Sequence, residues 1–235
     1  MKHIIHRAET RGYADHGWLQ TSHIFSFAGY YNPERIRFGS LRVLNDDIVQ
    51  PGKGFGSHSH ENMEIISVPL IGSLAHKDSS GHETAIYPND VQIMSAGTGI
   101  THSEYNYSET EPVNFLQIWI FPKEKNINPR YNQKTFDPEE RHNRWQFMVA
   151  PEKNDDTLWI NQDAYMARMN LSGGQEINYQ QKVKQNGIYF FIISGQVTID
   201  NTTLNKRDGI GIVEAQNITL KSTSDSDILA LEIPL

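Results

Sequence analysis

Short apolar runs, broken every few residues by glycine, proline, asparagine and aspartate, constrain this chain more than any other feature. Residues 41–44, 63–70, 91–95 and 113–121 alternate or cluster apolar side chains over strand-like lengths. The last of these reads as a long, well-buried strand. Turns such as Pro88-Asn89-Asp90 and Ser79-Ser80-Gly81 separate them. Residues 124–145 are polar and rich in Asn, Pro and Arg; they read as a connector with a short helical turn near Pro138-Glu139-Glu140-Arg141. Strands then resume at 158–160, 164–171, 188–193, 197–199, 210–213, 218–220 and 228–233. The pattern predicts an all-β chain.

The two halves carry a faint internal repeat. Residues 68–74 followed by 87–93 read strand, glycine turn, strand, then an aspartate-containing turn into another strand. Residues 191–197 followed by 206–212 read the same way, with Gly72 corresponding to Gly195 and Asp90 to Asp208. The expectation is two similar antiparallel barrels, one at 1–135 and one at 136–235.

Within the first half stand two pairs of metal-binding residue types, His58-Ser59-His60 and His102-Ser103-Glu104. In a strand, residues spaced i, i+2 project to one face. Two facing strands would then aim three imidazoles and a carboxylate at one point, a ligand set for a divalent transition metal. A lone His-x-His is common by chance; two such pairs flanked by glycine-rich turns are far more specific. Four protein ligands leave open positions on a six-coordinate ion, which favours reactivity over a closed structural site. The donors suit Fe, Mn, Co, Ni, Cu or Zn, and they lie near the two-histidine, one-carboxylate set of non-haem iron oxygenases. Glu64 has the same parity as the first pair; orienting an imidazole is the favoured reading, with a fifth ligand or an exposed carboxylate as the alternatives. His76 and His82, beside a Ser-Ser-Gly turn, read as surface residues. His16, His23, Phe25, Phe27, Tyr30 and Tyr31 read as packing or surface, while Phe55 and Met63 are candidates either to line a pocket or to pack. Applying the repeat offsets to the four ligands lands near Gln181, Val183, Leu220 and Ser222, and no histidine follows His142. The second barrel is therefore expected to lack a metal site.

Composition removes several alternatives. There is no cysteine, which excludes disulfides, thiolate metal sites and a cysteine nucleophile. The net charge of -7 offers no electrostatic footprint for nucleic acid. The first residues contain no signal-like apolar core, and no apolar stretch is long enough for a bilayer. A cytoplasmic protein with no membrane contact is the expectation.

At these residues the chain resembles the pirin family of the cupin superfamily. The first cupin motif is matched by Gly52, His58-Ser59-His60, Glu64 and Gly72, and the end of the second by His102 and Asn106. The pirin signature is more specific. It resembles Phe25-Ser26-Phe27, Leu41-Arg42-Val43-Leu44-Asn45-Asp46-Asp47, Gly54-Phe55-Gly56-Ser57-His58-Ser59-His60 and Met63-Glu64-Ile65. It continues in His76-Lys77-Asp78-Ser79, residues 92–100 and His102-Ser103-Glu104-Tyr105-Asn106. Ser59 departs from the proline usual there, a change that removes no donor. Within the family the chain is most similar to bacterial members described as quercetin 2,3-dioxygenases.

The resemblance implies a bicupin of two jelly-roll barrels, with the metal on His58, His60, His102 and Glu104 and with Glu64 outside the ligand set. It implies iron(II) as the resident ion, with Mn, Co, Ni, Cu and Zn as alternatives. It implies a dioxygenase that opens the heterocyclic ring of a flavonol such as quercetin with O2 and releases carbon monoxide, Glu104 serving as ligand and general base. The alternative it carries is a non-enzymatic, metal- or redox-sensing regulator that binds protein partners. A metal-dependent hydrolase or isomerase on the same scaffold is a third reading. A monomer is expected, because two barrels in one chain can cover each other's apolar faces.

Overall fold

The computed structural model describes residues 2–235. They form twenty-two strands and two single 3-10 turns, one of them at Pro138–Arg141 inside the expected connector. That connector also holds the strand Arg130–Thr135, which the polar composition had hidden. It pairs with Asp90–Ser95 at the edge of a sheet, where polar side chains face solvent.

Four sheets result, two of seven strands and two of four. In the first half, Glu64–Ile71, Val113–Ile120 and Leu41–Val49 are consecutive neighbours of a seven-stranded sheet. Gly54–His60, Ile100–Asn106, Leu74–Asp78 and Glu83–Ile86 form the four-stranded sheet against it. Leu19, Val49, Val113 and Phe115 of the large sheet pack on Leu74 and Ile86 of the small one. The second half repeats the arrangement. Asn186–Ser194, Ser226–Pro234 and Tyr165–Leu171 are the matching consecutive strands, and Glu176–Gln180, Asn217–Ser222, Gln196–Ile199 and Thr202–Asn205 form the small sheet. The ladders do not close around either core, so these are jelly-roll sandwiches rather than closed barrels.

The repeat extends to the turns. Gly72 and Gly195 both adopt left-handed backbone, at φ +71° and +85°, which glycine enters without steric cost. Asp90 accepts a hydrogen bond from the Tyr87 amide at 2.9 Å, and Asp208 from the Asn205 amide at 3.0 Å, the same three-residue turn closure in each half. One strand breaks the sequential division at 135/136. Lys2–His6 pairs with Gly209–Val213 and fills, in the second half, the edge that Arg130–Thr135 fills in the first. Ile5 packs on the second core and His6 Nδ1 lies 2.8 Å from the Tyr189 hydroxyl, which holds the chain start there.

The two large sheets stack on each other. Leu44, Leu116, Ile118 and Ile66 of one meet Tyr189, Phe191, Leu229 and Leu231 of the other in a single buried cluster. The large sheets are thus covered on both faces, which explains strands such as Asn186–Ser194 that are buried at nearly every position. Among the described residues no helix is long and apolar enough to cross a membrane.

Candidate metal centre

The inner face of the first small sheet is polar, and its pleat decides which residues meet. Ile100–Asn106 pairs with Gly54–His60 so that His102 lies opposite His58 and Ile100 opposite His60. Two residues later the register has moved to Glu104 opposite Phe55, a bulge in the strand that carries Gly56 and Ser57. The donor atoms of His58, His60 and His102 all lie within 4.8 Å of one another. His58 Nδ1 lies 2.8 Å from the Gly56 carbonyl across the bulge and donates to it, which leaves Nε2 as the free donor. His60 Nε2 and both ring nitrogens of His102 are buried without a partner. Burial, followed by the neighbouring histidines, holds His60 at about 4 and His102 at about 3, so both imidazoles are neutral and able to ligate near neutral pH.

Glu104 is 2% exposed and is held from the opposite sheet. The Ser67 hydroxyl donates to Oε1 at 2.8 Å and the Gln117 amide to Oε2 at 2.7 Å. Ser67 is also 3.0 Å from Gln117 Oε1, but it has one proton, and the charged carboxylate is the stronger acceptor. Ser67 and Gln117 were not singled out by sequence reasoning. The signal was a polar residue inside each of two largely apolar strands, Glu64–Ile71 and Val113–Ile120. They belong to a polar row that crosses the inner face of the large sheet: His23, Asn45, Gln117, Ser67 and Gln92 are successive ladder partners, all buried.

The four expected ligands fall in two overlapping groups that share His102. Glu104 groups with His102 and His76, while His58 and His60 group with His102 alone. His76, expected at the surface, is 1% exposed and lies opposite Glu104 on the neighbouring strand. His82 is half-exposed and reaches Asp78 at 3.1 Å. Glu64, expected to orient an imidazole, instead accepts from the Ser95 hydroxyl at 2.8 Å and the Asn161 amide at 3.2 Å, with Arg130 at 3.9 Å. Burial raises its pKa against those partners. Strand parity fails here because His60 and Glu64 lie on different sheets, separated by a turn with Asn62 at positive φ.

A cavity of about 530 Å³ opens beside the cluster, lined by His23, Phe27, Tyr30, Asn45, Asp47 and Phe55 among others. Phe55 is the ladder partner of Glu104. Phe27 meets Trp119 edge-on at 5.3 Å, and Trp119 meets His60 at 4.9 Å. Trp119 thus links the lining residue Phe27 to His60. Burial pushes Asp47 up to about 7, with Asp46 and Glu104 raising it further and the Thr21 hydroxyl opposing. Met63 packs with Ile65 and Met94 instead of lining this space. Tyr31 is exposed and Phe25 lies in the core.

In the second half the matching strands carry apolar side chains. Ile177 pairs with Leu220 and Tyr179 with Ile218, and all four pack into the second core. Two tandem jelly rolls, one with a histidine-rich interior and one filled with apolar side chains, define a bicupin. The sequence profile described as Pirin matches residues 5–120, and that of the quercetinase C-terminal cupin domain matches residues 147–233. The chain is 40% identical over 230 residues to a quercetin 2,3-dioxygenase of Escherichia coli K12, covering 98% of each chain. It is 37% identical over 222 residues to a pirin-like protein of Caulobacter vibrioides, covering 94% of this chain and 95% of that one. The crystal structure of the bacterial pirin YhhW from Escherichia coli in complex with nickel(II) superimposes with a TM-score of 0.93 at 39% identity, covering 99% of each chain. The chain belongs to the pirin family. Its donor set fits a divalent metal, on the evidence of imidazole nitrogens that are neutral, buried and unpaired.

Proposed function

We propose that this chain is a metal-dependent dioxygenase that uses O2 to open the heterocyclic ring of a flavonol such as quercetin, with release of carbon monoxide. The observation that carries the reading is the unpaired histidine cluster beside a buried carboxylate, next to a cavity lined in part by Phe27, Tyr30 and Phe55. Relatives named quercetin 2,3-dioxygenase over nearly the whole chain support it. His58, His60, His102 and Glu104 would hold the metal, with iron(II) the first choice. When bound, the metal supplies Lewis-acid and one-electron chemistry.

The remaining roles fall to the protein's own groups. Phe27, Tyr30 and Phe55 offer flat apolar contact to an aromatic substrate, and about 530 Å³ is ample for a ligand of that size. Glu104 accepts the proton of the substrate hydroxyl at a carboxylate oxygen. Each of its oxygens keeps a second lone pair beyond the one used by Ser67 or Gln117. Those two hydrogen bonds hold the carboxylate in place, so that little reorganisation accompanies the transfer. The apolar wall of Phe27, Trp119 and Phe55 excludes water from the reacting centre.

The test is to assay metal content and follow quercetin absorbance under air, with and without added iron. Metal-dependent loss of quercetin with carbon monoxide release is the expected result. Bound metal with no turnover would overturn the flavonol reading and favour the regulatory one.

A further inference from the structure

Four buried polar residues form a block on the inner face of the first large sheet, next to the residues that hold Glu104. Thr21 and His23 are spaced i, i+2 in Leu19–His23, and Asn45 and Asp47 likewise in Leu41–Val49. The two strands pair with Thr21 opposite Asp47 and His23 opposite Asn45, so all four side chains share one face. All four are buried, and all four line the cavity of about 530 Å³. Asn45 is in turn the ladder partner of Gln117, which donates to Glu104. The block therefore starts one strand away from Gln117 and ends two strands away, roughly 5–10 Å at ordinary inter-strand spacing.

Buried polar groups are normally paired off, and this block is paired only in part. The Thr21 hydroxyl donates to one oxygen of Asp47. His23 Nδ1 lies 2.9 Å from Asn45 Oδ1 and donates to it, because that oxygen can only accept. The bond sets the tautomer and leaves Nε2 as a lone-pair acceptor. Among the described residues, His23 Nε2, the Asn45 amide nitrogen and the second Asp47 oxygen have no partner, yet none of them is sealed from solvent. Phe27 and Tyr30 flank the imidazole at 5.3 and 6.4 Å, and Tyr30 is stacked on it at 20°. One wall of the cavity thus offers two acceptors and a donor, set among aromatic rings.

We propose that His23, Asn45 and Asp47 form a hydroxyl-recognition subsite in this cavity, which selects a flavonol whose phenyl ring carries adjacent hydroxyls over one whose ring is bare. The inference rests on the flavonol reading and adds the residues that set its specificity. A phenol hydroxyl donates to His23 Nε2 or to Asp47 and accepts from the Asn45 amide. A ring without hydroxyls displaces water from these groups and leaves them unpaired, and that penalty separates the two ligands. The aromatic side chains do not make this distinction, since both rings present the same flat face to Phe27 and Tyr30.

Iron(II)-loaded, full-length protein is equilibrated under nitrogen with quercetin, or with galangin, which lacks the phenyl hydroxyls, and the bound flavonol is measured by equilibrium dialysis. Without O2 the readout is affinity alone. Quercetin is expected to bind about tenfold or more tightly than galangin. His23→Phe keeps a ring beside Phe27 and Tyr30 but removes the acceptor; Asp47→Asn keeps the shape but removes the charge. Each is expected to shrink the quercetin-to-galangin ratio, chiefly by weakening quercetin. A merely structural role would weaken both flavonols alike, so a ratio unchanged in both variants overturns the subsite. A ratio near one in the unaltered protein also overturns it, even if a variant fails to fold, and leaves the flavonol reading standing. No binding of either flavonol overturns both.

Discussion

Glu104 does two things in the proposed reaction, and its neighbours separate them. Glu104→Gln preserves shape and one ligand oxygen but removes the proton acceptor. Metal content is expected to stay near that of the parent while quercetin turnover falls by about 100-fold or more, the scale of general base catalysis. Unchanged turnover would remove the base role. Ser67→Ala deletes the donor to Oε1 without touching the substrate space. Loss of such an orienting partner is expected to weaken metal affinity or turnover by about 10–100-fold, readable by competition with a chelator. Serine in a strand reading Glu-Ile-Ile-Ser-Val-Pro-Leu-Ile is visible in the sequence; that its hydroxyl meets a carboxylate from another sheet is not.

At the scale of elements, the i, i+2 spacing held wherever both residues shared a strand. It put His58 with His60 and His102 with Glu104 on the inner face. It broke for Glu64, across a turn between sheets. The same spacing in His76-Lys77-Asp78 runs into a Ser-Ser-Gly turn, which by sequence reads as surface. The end of a strand before a turn can still point inward, and here the pairing with Ile100–Asn106 buries it. The long apolar strands have a different reason for their composition. Phe191 lies between the stacked large sheets, packed from both halves. Phe191→Ala is expected to cost about 3–5 kcal/mol, measured as a shift in the urea midpoint with little change in slope.

For the whole molecule, the buried titratable groups predict acid sensitivity. Burial holds His6 and His60 at about 4 and His102 at about 3, below the ordinary 6.5, and lowers His23 as well. The unfolded chain takes up these protons first, so the stability they support is present above pH 6.5 and lost as pH falls towards 4 and 3. Asp47, raised from 3.8 to about 7, acts in the opposite sense: its contribution is present below 3.8 and lost as pH rises through 7. Glu64 is raised in the same direction. The lowered histidines outnumber the two raised carboxylates, so the metal-free protein is expected to melt at progressively lower temperature from pH 7 to pH 4. A melting temperature constant over that range would contradict the burial assigned to these groups. Added metal binds only the folded state, and is expected to raise stability by about 2.7 kcal/mol at a free concentration of 100 Kd.

By itself the sequence determined the all-β class, the twofold repeat and the residues of the first histidine cluster. Each of these follows from local periodicity, which needs only the two-residue repeat of a strand. Tertiary structure alone decided which of those residues meet. The bulge at Gly56 and Ser57 set Phe55 opposite Glu104, the neighbouring strand brought in His76, and the facing sheet supplied Ser67 and Gln117. It also carried Lys2–His6 to the second half. Register and sheet stacking join residues distant in the chain, and no local pattern encodes that partnership.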